Sequence, residues 1–174
     1  MIYMKKIFFL LTFLIAALFT VKSQETDPDK VKTGDSMPIF TIVSDDGTTI
    51  SSAEFRGKVI LITMFATWCP PCQLKLAEIE KSLWPTYKGV KDFLLLVIGR
   101  EHSDAELIEY NKTKGFTFPL YPDKDRKIFD LFAVQTIPRT YLINKEGKII
   151  NAITGFNPEE FKQLERMIDR AINQ

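Results

Sequence analysis

Both cysteines of the chain lie in one short stretch, residues 68–72, which reads Trp-Cys-Pro-Pro-Cys. An apolar, β-rich segment at residues 58–64 leads into this stretch, and apolar residues at helical spacing follow it. The pattern predicts that the cysteine pair lies where a buried strand passes into a helix. Unpaired backbone N–H groups and the helix dipole favour negative charge at such a junction, so we expect a lowered pKa for the first thiol.

The two thiols are predicted to have different roles. Cys69 is the expected attacking sulfur because it lies at the start of the helix. Cys72 is in helical register with three apolar residues and therefore lies on the buried face; these residues are Leu76, Ile79 and Leu83. A shielded thiol in that position is suited to resolving a mixed disulfide by attacking Cys69.

Three other uses of the cysteines fit the sequence less well. A purely structural disulfide across so few residues would remove little chain entropy. A zinc site needs four ligands, and beyond the cysteine pair the chain has a single, distant histidine, His102. Two inert thiols would not require the intervening prolines, Pro70 and Pro71, which suit the first turn of a helix. The Cys-X-X-Cys pair beside a strand and a helix therefore indicates redox chemistry.

Chain length and charge narrow the remaining possibilities. The 174 residues are enough for one domain with a substantial core, but not for two large ones. The formal net charge of +1 offers no electrostatic basis for binding nucleic acid. We expect neither a cofactor nor a resident metal ion.

Residues 1–23 have the features of a secretory signal peptide. Two lysines, Lys5 and Lys6, precede an almost wholly apolar run at residues 7–21, and compact residues end at Ser23. We expect cleavage after Ser23; an uncleaved membrane anchor is the alternative, but the apolar run is shorter than the roughly 20 residues that span a bilayer. Export would place the cysteine pair in the periplasm or cell envelope, outside the reducing cytosol.

The remaining residues predict a short tether and one domain. Residues 24–31 are polar and lack apolar periodicity, so we expect a flexible tether there and a domain over residues 32–174. The pattern of this domain predicts an α/β fold with a central mixed β-sheet, flanking helices and an N-terminal β-hairpin. Strands are expected near 39–43, 48–50, 58–64, 93–98, 140–144 and 148–153, and helices near 70–83, 103–113 and after 157. Pro85 is expected to bend or end the first helix because it lacks a backbone donor.

Four stretches together resemble the exported thioredoxin-fold thiol-disulfide oxidoreductases of the TlpA/ResA type; they are residues 34–40, 57–62, 65–72 and 137–143. The resemblance implies a thioredoxin fold in which Pro138 has a cis peptide bond beside the active site. Such a bond would turn the chain sharply and present the backbone of Ile137 to an extended substrate segment.

The surroundings of Cys69 and the resemblance together indicate protein substrates. Phe65, Trp68 and Pro71 are expected to form an apolar rim around Cys69 that suits the docking of proteins. The resemblance implies reduction of disulfides in envelope proteins, for example in cytochrome c maturation, with electrons from a membrane thiol carrier. Delivery of a soft metal such as Cu(I) by the cysteine pair is one alternative. A thiol peroxidase is another, although a peroxiredoxin-like site would carry threonine and proline where this chain has Ala66 and Ile62.

Several polar positions depart from the family pattern or have an open role. Relatives often carry an acidic residue three positions after the second cysteine, where this chain has Lys75, and the buried aspartate of thioredoxins is replaced by Thr63. Lys75 is expected to extend to solvent, and the alternative is an ammonium that favours a thiolate. Glu78 is the candidate for the missing carboxylate. His102 is expected in a solvated loop, and Arg139 on the surface or against the substrate.

Overall fold

Strands and helices alternate along most of the chain in a computed structural model that describes residues 27–43 and 47–174. The strands in these residues are β1 (Thr41–Val43), β2 (Thr49–Ser51), β3 (Val59–Phe65), β4 (Phe93–Arg100), β5 (Leu120–Asp123), β6 (Arg139–Ile143) and β7 (Ile149–Thr154). The helices are α1, which begins with Pro70–Glu78, α2 (Asp104–Lys114), α3 (Phe129–Phe132) and α4 (Pro158–Ile172). A short 3₁₀ turn, Ser52–Phe55, joins β2 to the main sheet.

Five strands form one mixed sheet in the order β5-β4-β3-β6-β7. The central strand, β3, pairs in parallel with β4 and antiparallel with β6. β1 and β2 form a separate antiparallel hairpin. The predicted α/β fold with a central mixed sheet and an N-terminal hairpin is therefore confirmed.

Both faces of the central strand are buried, which explains its unbroken apolar sequence. Successive side chains of a strand point to opposite faces. Leu61 and Phe65 belong to the core cluster that includes residues of α1 and α4, whereas Ile62 and Met64 belong to the cluster that includes α3. β3 is thus held by packing on both sides, and its carboxyl end is a rigid support for the cysteine pair that follows.

The helix after the cysteine pair does not end at Pro85. The segment Pro70–Glu78 continues through a π-helical segment, Ile79–Leu83, into a last α-helical turn, Trp84–Tyr87, and together these segments are α1. The N–H of Trp84 donates to the carbonyl of Ile79, five residues earlier. Pro85 therefore lies at the start of the last turn, where a missing N–H is tolerated.

The structure places the last residues of the predicted tether against the domain. Val31 is buried, the carbonyl of Pro28 accepts a hydrogen bond of 2.9 Å from the N–H of Val134, and Asp29 forms an ion pair with Arg139. Charges of both signs and a proline gave this segment the composition of a flexible linker, but the buried partner of Asp29 lies far along the chain.

The predicted signal peptide, residues 1–23, and residues 24–26 lie outside the described residues. Within the described residues, no helix combines the length and the apolar character needed to cross a bilayer. The predicted cleavage after Ser23 stays a prediction.

Candidate redox site

Cys69 and Cys72 are joined by a disulfide bond at the N-terminus of α1. Cys69 is the N-cap residue, and the backbone N–H of Cys72 donates to the sulfur of Cys69 at 3.3 Å. Cys69 is 4% exposed and Cys72 is 0% exposed. The predicted position of the pair at a strand-to-helix junction is confirmed, and an N–H group is directed at the sulfur that would carry negative charge as a thiolate.

The surface around the disulfide is apolar and exposed. Trp68, next to Cys69, is 62% exposed, and Pro71, between the two cysteines, is also exposed. The sequence predicted that Phe65 would be part of this surface, and that prediction is wrong. Phe65 is fully buried at the end of β3, in the core beneath α1. Large exposed apolar side chains beside a reactive centre are typical of a protein-binding surface.

Pro138 lies beside the segment that leads to Cys69. The Ile137–Pro138 peptide bond is cis, which confirms the implication of the resemblance. Strand β6 begins directly after Pro138, and its first residue, Arg139, is opposite Met64 near the end of β3. Since β3 continues into the loop before Cys69, the antiparallel pairing brings the proline to the same edge of the sheet.

Lys75 does not extend to solvent, so that prediction is wrong. The residue is 3% exposed, and its Nζ donates to the hydroxyl of Thr140 at 2.7 Å and to the carbonyl of Gly155 at 2.8 Å. Burial lowers the pKa of Lys75 to about 8, and the negative charge of Glu160 opposes this shift. Two acceptors contributed by distant parts of the chain make this burial possible.

The buried carboxylate of thioredoxins has no counterpart beneath α1 in the described residues. Thr63 is 1% exposed, and its hydroxyl oxygen lies 3.3 Å from that of Thr140 on β6. Glu78 does not fill the role, because its carboxylate lies near solvent, 3.9 Å from the ammonium of Lys81. The buried groups next to the helix are therefore two hydroxyls and one lysine ammonium.

His102 supports the active-site loop from below, and the prediction of a solvated histidine is wrong. The residue is 6% exposed, and its Nε2 accepts a 3.0 Å hydrogen bond from the N–H of Thr67, two residues before Cys69. Burial lowers the pKa of His102, and the charges of Glu106 and Glu101 oppose the shift. The sequence contained a signal for this contact, because the carboxyl ends of two parallel strands, here β3 and β4, meet at one edge of a sheet.

The carbonyl of Thr67 is held as well. The side-chain amide of Gln73 donates to it at 2.5 Å, and the hydroxyl of Tyr110 on α2 donates to the amide oxygen of Gln73 at 2.7 Å. Both backbone groups of Thr67 are thus fixed by side chains from different elements. Sequence reasoning missed Gln73 and Tyr110, since nothing local distinguishes them from ordinary helix residues.

Arg139 fixes the loop that precedes the cis proline. It is 2% exposed, forms an ion pair with Asp29, and its Nε donates to the carbonyls of Gln135 and Thr136 at 3.0 and 3.1 Å. Thr136 has a φ of 71°, an unusual backbone conformation for a residue with a β-branched side chain. The prediction of a surface arginine is therefore wrong, and the guanidinium stabilises the loop rather than facing a substrate.

No group of three or more metal-ligating side chains that could hold an ion occurs among residues 27–43 and 47–174. The reactive groups of the site are the cysteine pair at the N-terminus of α1, next to a cis proline at the same edge of the sheet. Fold and site define a thiol-disulfide oxidoreductase with a thioredoxin fold. A model of the Redoxin family matches residues 32–168, and the chain belongs to this family.

Known proteins similar to this chain have the same chemistry in their names. The thiol-disulfide oxidoreductase ResA of Geobacillus thermodenitrificans is 30% identical over 159 residues, which cover 88% of this chain and 89% of the relative. ResA of Bacillus subtilis is 27% identical over 129 residues, or 73% of this chain and 70% of the relative. A solution structure of a candidate protein disulfide isomerase from Bacteroides thetaiotaomicron has a TM-score of 0.80 and 33% identity, and covers 84% of this chain and 94% of that one.

Proposed function

We propose that Cys69 is the nucleophile and Cys72 the resolving thiol in the reduction of protein disulfides. The observation that carries the proposal is the asymmetry of the pair: Cys69 is the N-cap of α1 and receives an N–H donor, whereas Cys72 is fully buried behind it. A sulfur at a helix N-terminus is the more readily ionised of two thiols. The buried sulfur is protected from solvent and reacts with what its neighbour has captured.

The reaction balances as two exchanges. The thiolate of Cys69 attacks one sulfur of a partner disulfide, a new S–S bond forms, and the other partner sulfur leaves as a thiolate that takes up a proton. Cys72, as a thiolate, then attacks the sulfur of Cys69, and the second partner sulfur leaves in the same way. The partner gains two electrons, and the enzyme is left with the Cys69–Cys72 disulfide that the structure contains.

We assign substrate docking to Trp68, Pro71, Ile137 and Pro138. The exposed apolar surface of Trp68 supports contact with protein rather than with small polar substrates. An extended substrate segment would pair with the backbone at Ile137, next to the cis proline, as an added strand. Replacing Trp68 by alanine is expected to raise KM for a protein disulfide more than for a small disulfide.

We further propose that the protein acts after export, in the periplasm or cell envelope. The predicted signal peptide at residues 1–23 and the similarity to proteins named ResA support this location. A disulfide reductase in an oxidising compartment needs a supply of electrons, which a membrane thiol carrier would provide. Apocytochrome c, whose cysteine pair must be reduced before haem attachment, is a candidate substrate.

A redox titration of the purified domain against glutathione tests the proposal. A reduction potential near that of thioredoxin, about −270 mV, is expected for a reductant, whereas a potential near −120 mV would identify an oxidant and overturn the proposed direction. In cell extracts, Cys72→Ala should accumulate mixed disulfides through Cys69. Cys69→Ala is the matched control and should trap none; equal trapping by both variants would contradict the assigned roles.

A further inference from the structure

Lys75 connects the helix of the cysteine pair to the segment that carries the cis proline. Its Nζ donates to Thr140 Oγ1 and to the carbonyl of Gly155. The N–H of Gly155 in turn donates to the carbonyl of Pro138 at 2.8 Å. One ammonium group thus joins α1, β6 and the turn after β7 at the edge of the sheet where the site lies.

Lys75 is also the residue of α1 that is charged at neutral pH and buried together with Cys72. The buried polar or charged residues of the described chain are Ser52, Thr63, Lys75, His102, Asp123, Arg139 and Thr140. Asp123 is the carboxylate in this set, and its oxygens accept the N–H groups of Ile128 and Phe129 at the start of α3. Of these residues, Lys75 alone lies on the same helix as Cys72 and could provide a positive charge near its sulfur.

The positions of Cys72 and Lys75 favour an electrostatic interaction. Residues three apart on a helix are neighbours, with about 5–6 Å between their Cβ atoms, and both of these side chains are buried. A thiolate at a fully buried sulfur is strongly disfavoured unless a positive charge lies nearby. In the disulfide form the Lys75 ammonium interacts with Glu160, an exposed residue of α4, while its contacts from the sheet side, Thr140 and Gly155, are neutral.

We propose that Lys75 is a positioning residue that stabilises a thiolate at Cys72 whenever Cys69 does not carry the charge of the pair, an inference that rests on the dithiol chemistry proposed above. Reduction of the disulfide takes up two electrons. Each sulfur that becomes a thiol also takes up one proton, whereas a sulfur that remains a thiolate takes up none. Cys72 then needs no protein base when it attacks the sulfur of Cys69, because a Cys72 thiol loses its proton to solvent and the thiolate is stabilised by the ammonium. The reduced thiolate supplies the buried ammonium with a counter-charge that the disulfide lacks.

The ionisation of Cys72 can be measured alone in a Cys69→Ala background, by the NMR chemical shift of its labelled Cβ as pH changes. Two substitutions separate charge from contact: Lys75→Met removes both, and Lys75→Gln removes the charge but keeps an N–H donor for Thr140 and Gly155. We expect each to raise the pKa of Cys72, so that the thiolate fraction below the pKa falls at least tenfold. Lys81→Met, which removes an exposed lysine from α1, is the control and should leave the titration unchanged.

Several results would overturn the proposal. An unchanged titration in both Lys75 variants would do so, and so would a change in Lys75→Met that Lys75→Gln fails to reproduce, since contact rather than charge would then be responsible. If neither variant folds, the Cys69→Ala protein itself tests the proposal. A Cys72 pKa well above the ordinary thiol value of about 8.5 in that protein would overturn it.

The dithiol protein provides the link to function. Lys75→Met should shift its equilibrium with glutathione at least tenfold toward the disulfide, or about 30 mV. A reversible couple that does not respond to Lys75 would refute the role of the lysine and leave the proposed function intact. The complete absence of a reversible couple would refute the proposed function itself.

Discussion

Replacement of His102 by phenylalanine tests how the active-site loop is supported. Phenylalanine keeps an aromatic ring next to Phe65, whose ring centroid lies 6.4 Å from that of His102, but it removes the acceptor of the Thr67 N–H. An unsatisfied donor costs about 1–3 kcal/mol when it is buried, and the lower end applies to the partly buried Thr67. For a domain of this size each kcal/mol lowers Tm by about 2–4 °C, so thermal unfolding at neutral pH should show a clear decrease.

The same variant should alter the pH dependence of stability. Burial lowers the pKa of His102 below its ordinary value of 6.5, while Glu106 and Glu101 act in the opposite direction. The neutral imidazole is therefore favoured in the folded state, and its contribution is fully present above about pH 6.5 and is lost as the pH falls through the lower folded-state pKa. The stability difference between wild type and His102→Phe should shrink over that acidic window.

The assay is unambiguous because His102 is the single histidine of the chain. One imidazole signal in the NMR spectrum of the disulfide form reports its titration directly, and urea unfolding of both proteins between pH 5 and 8 gives the stability difference. An imidazole that titrates at or above 6.5, or a stability difference that is constant with pH, would refute the argument that His102 accepts the Thr67 N–H as a buried neutral group.

Two further substitutions test the interior next to the site. Lys75→Met should remove a pH-dependent penalty, because the lowering of the Lys75 pKa from 10.5 to about 8 corresponds to about 3 kcal/mol. Wild type should gain that much stability relative to the variant as the pH rises from 8 to 10.5, which urea unfolding of the disulfide form would show. A stability difference that is constant with pH would contradict the burial argument. Gly99→Ala should cost about 1–3 kcal/mol, since a Cβ there would lie 2.7 Å from Leu107 Cδ2, whereas Gly89→Ala meets no atom within 4 Å and should be nearly neutral in the same assay.

The interactions around Thr67 explain how a rigid site can arise on a loop. Its N–H is held by a residue that follows β4, and its carbonyl is held by Gln73 of α1 with support from Tyr110 of α2. Loops are otherwise the mobile parts of a domain. Anchoring both backbone groups restricts the path of the chain into Cys69, so that the sulfur is presented in one geometry to an incoming disulfide.

The elements defined by local patterns were predictable. The disulfide pair at the start of α1 follows from an apolar run, a Cys-Pro-Pro-Cys sequence and helical spacing after it, all within about 25 residues. The last helix was equally clear, because Asn157 caps it and Pro158 occupies its first turn. The π segment Ile79–Leu83 was not predictable from local sequence. Helix α1 changes its backbone hydrogen-bond pattern in this segment before it reaches Pro85, and packing decides whether that change is favourable.

The sequence by itself determined the chemistry, the sheet-and-helix architecture and the position of the cysteines, because each depends on residues that are close along the chain. Only the tertiary structure decided the environments of Lys75, His102 and Arg139. Each is polar, and local sequence indicates solvent for all three, yet each is buried by partners that lie between three and 110 residues away. Burial of a polar group depends on whether distant acceptors or charges meet it in the fold, and that information resides in the packing of the elements rather than in any one segment.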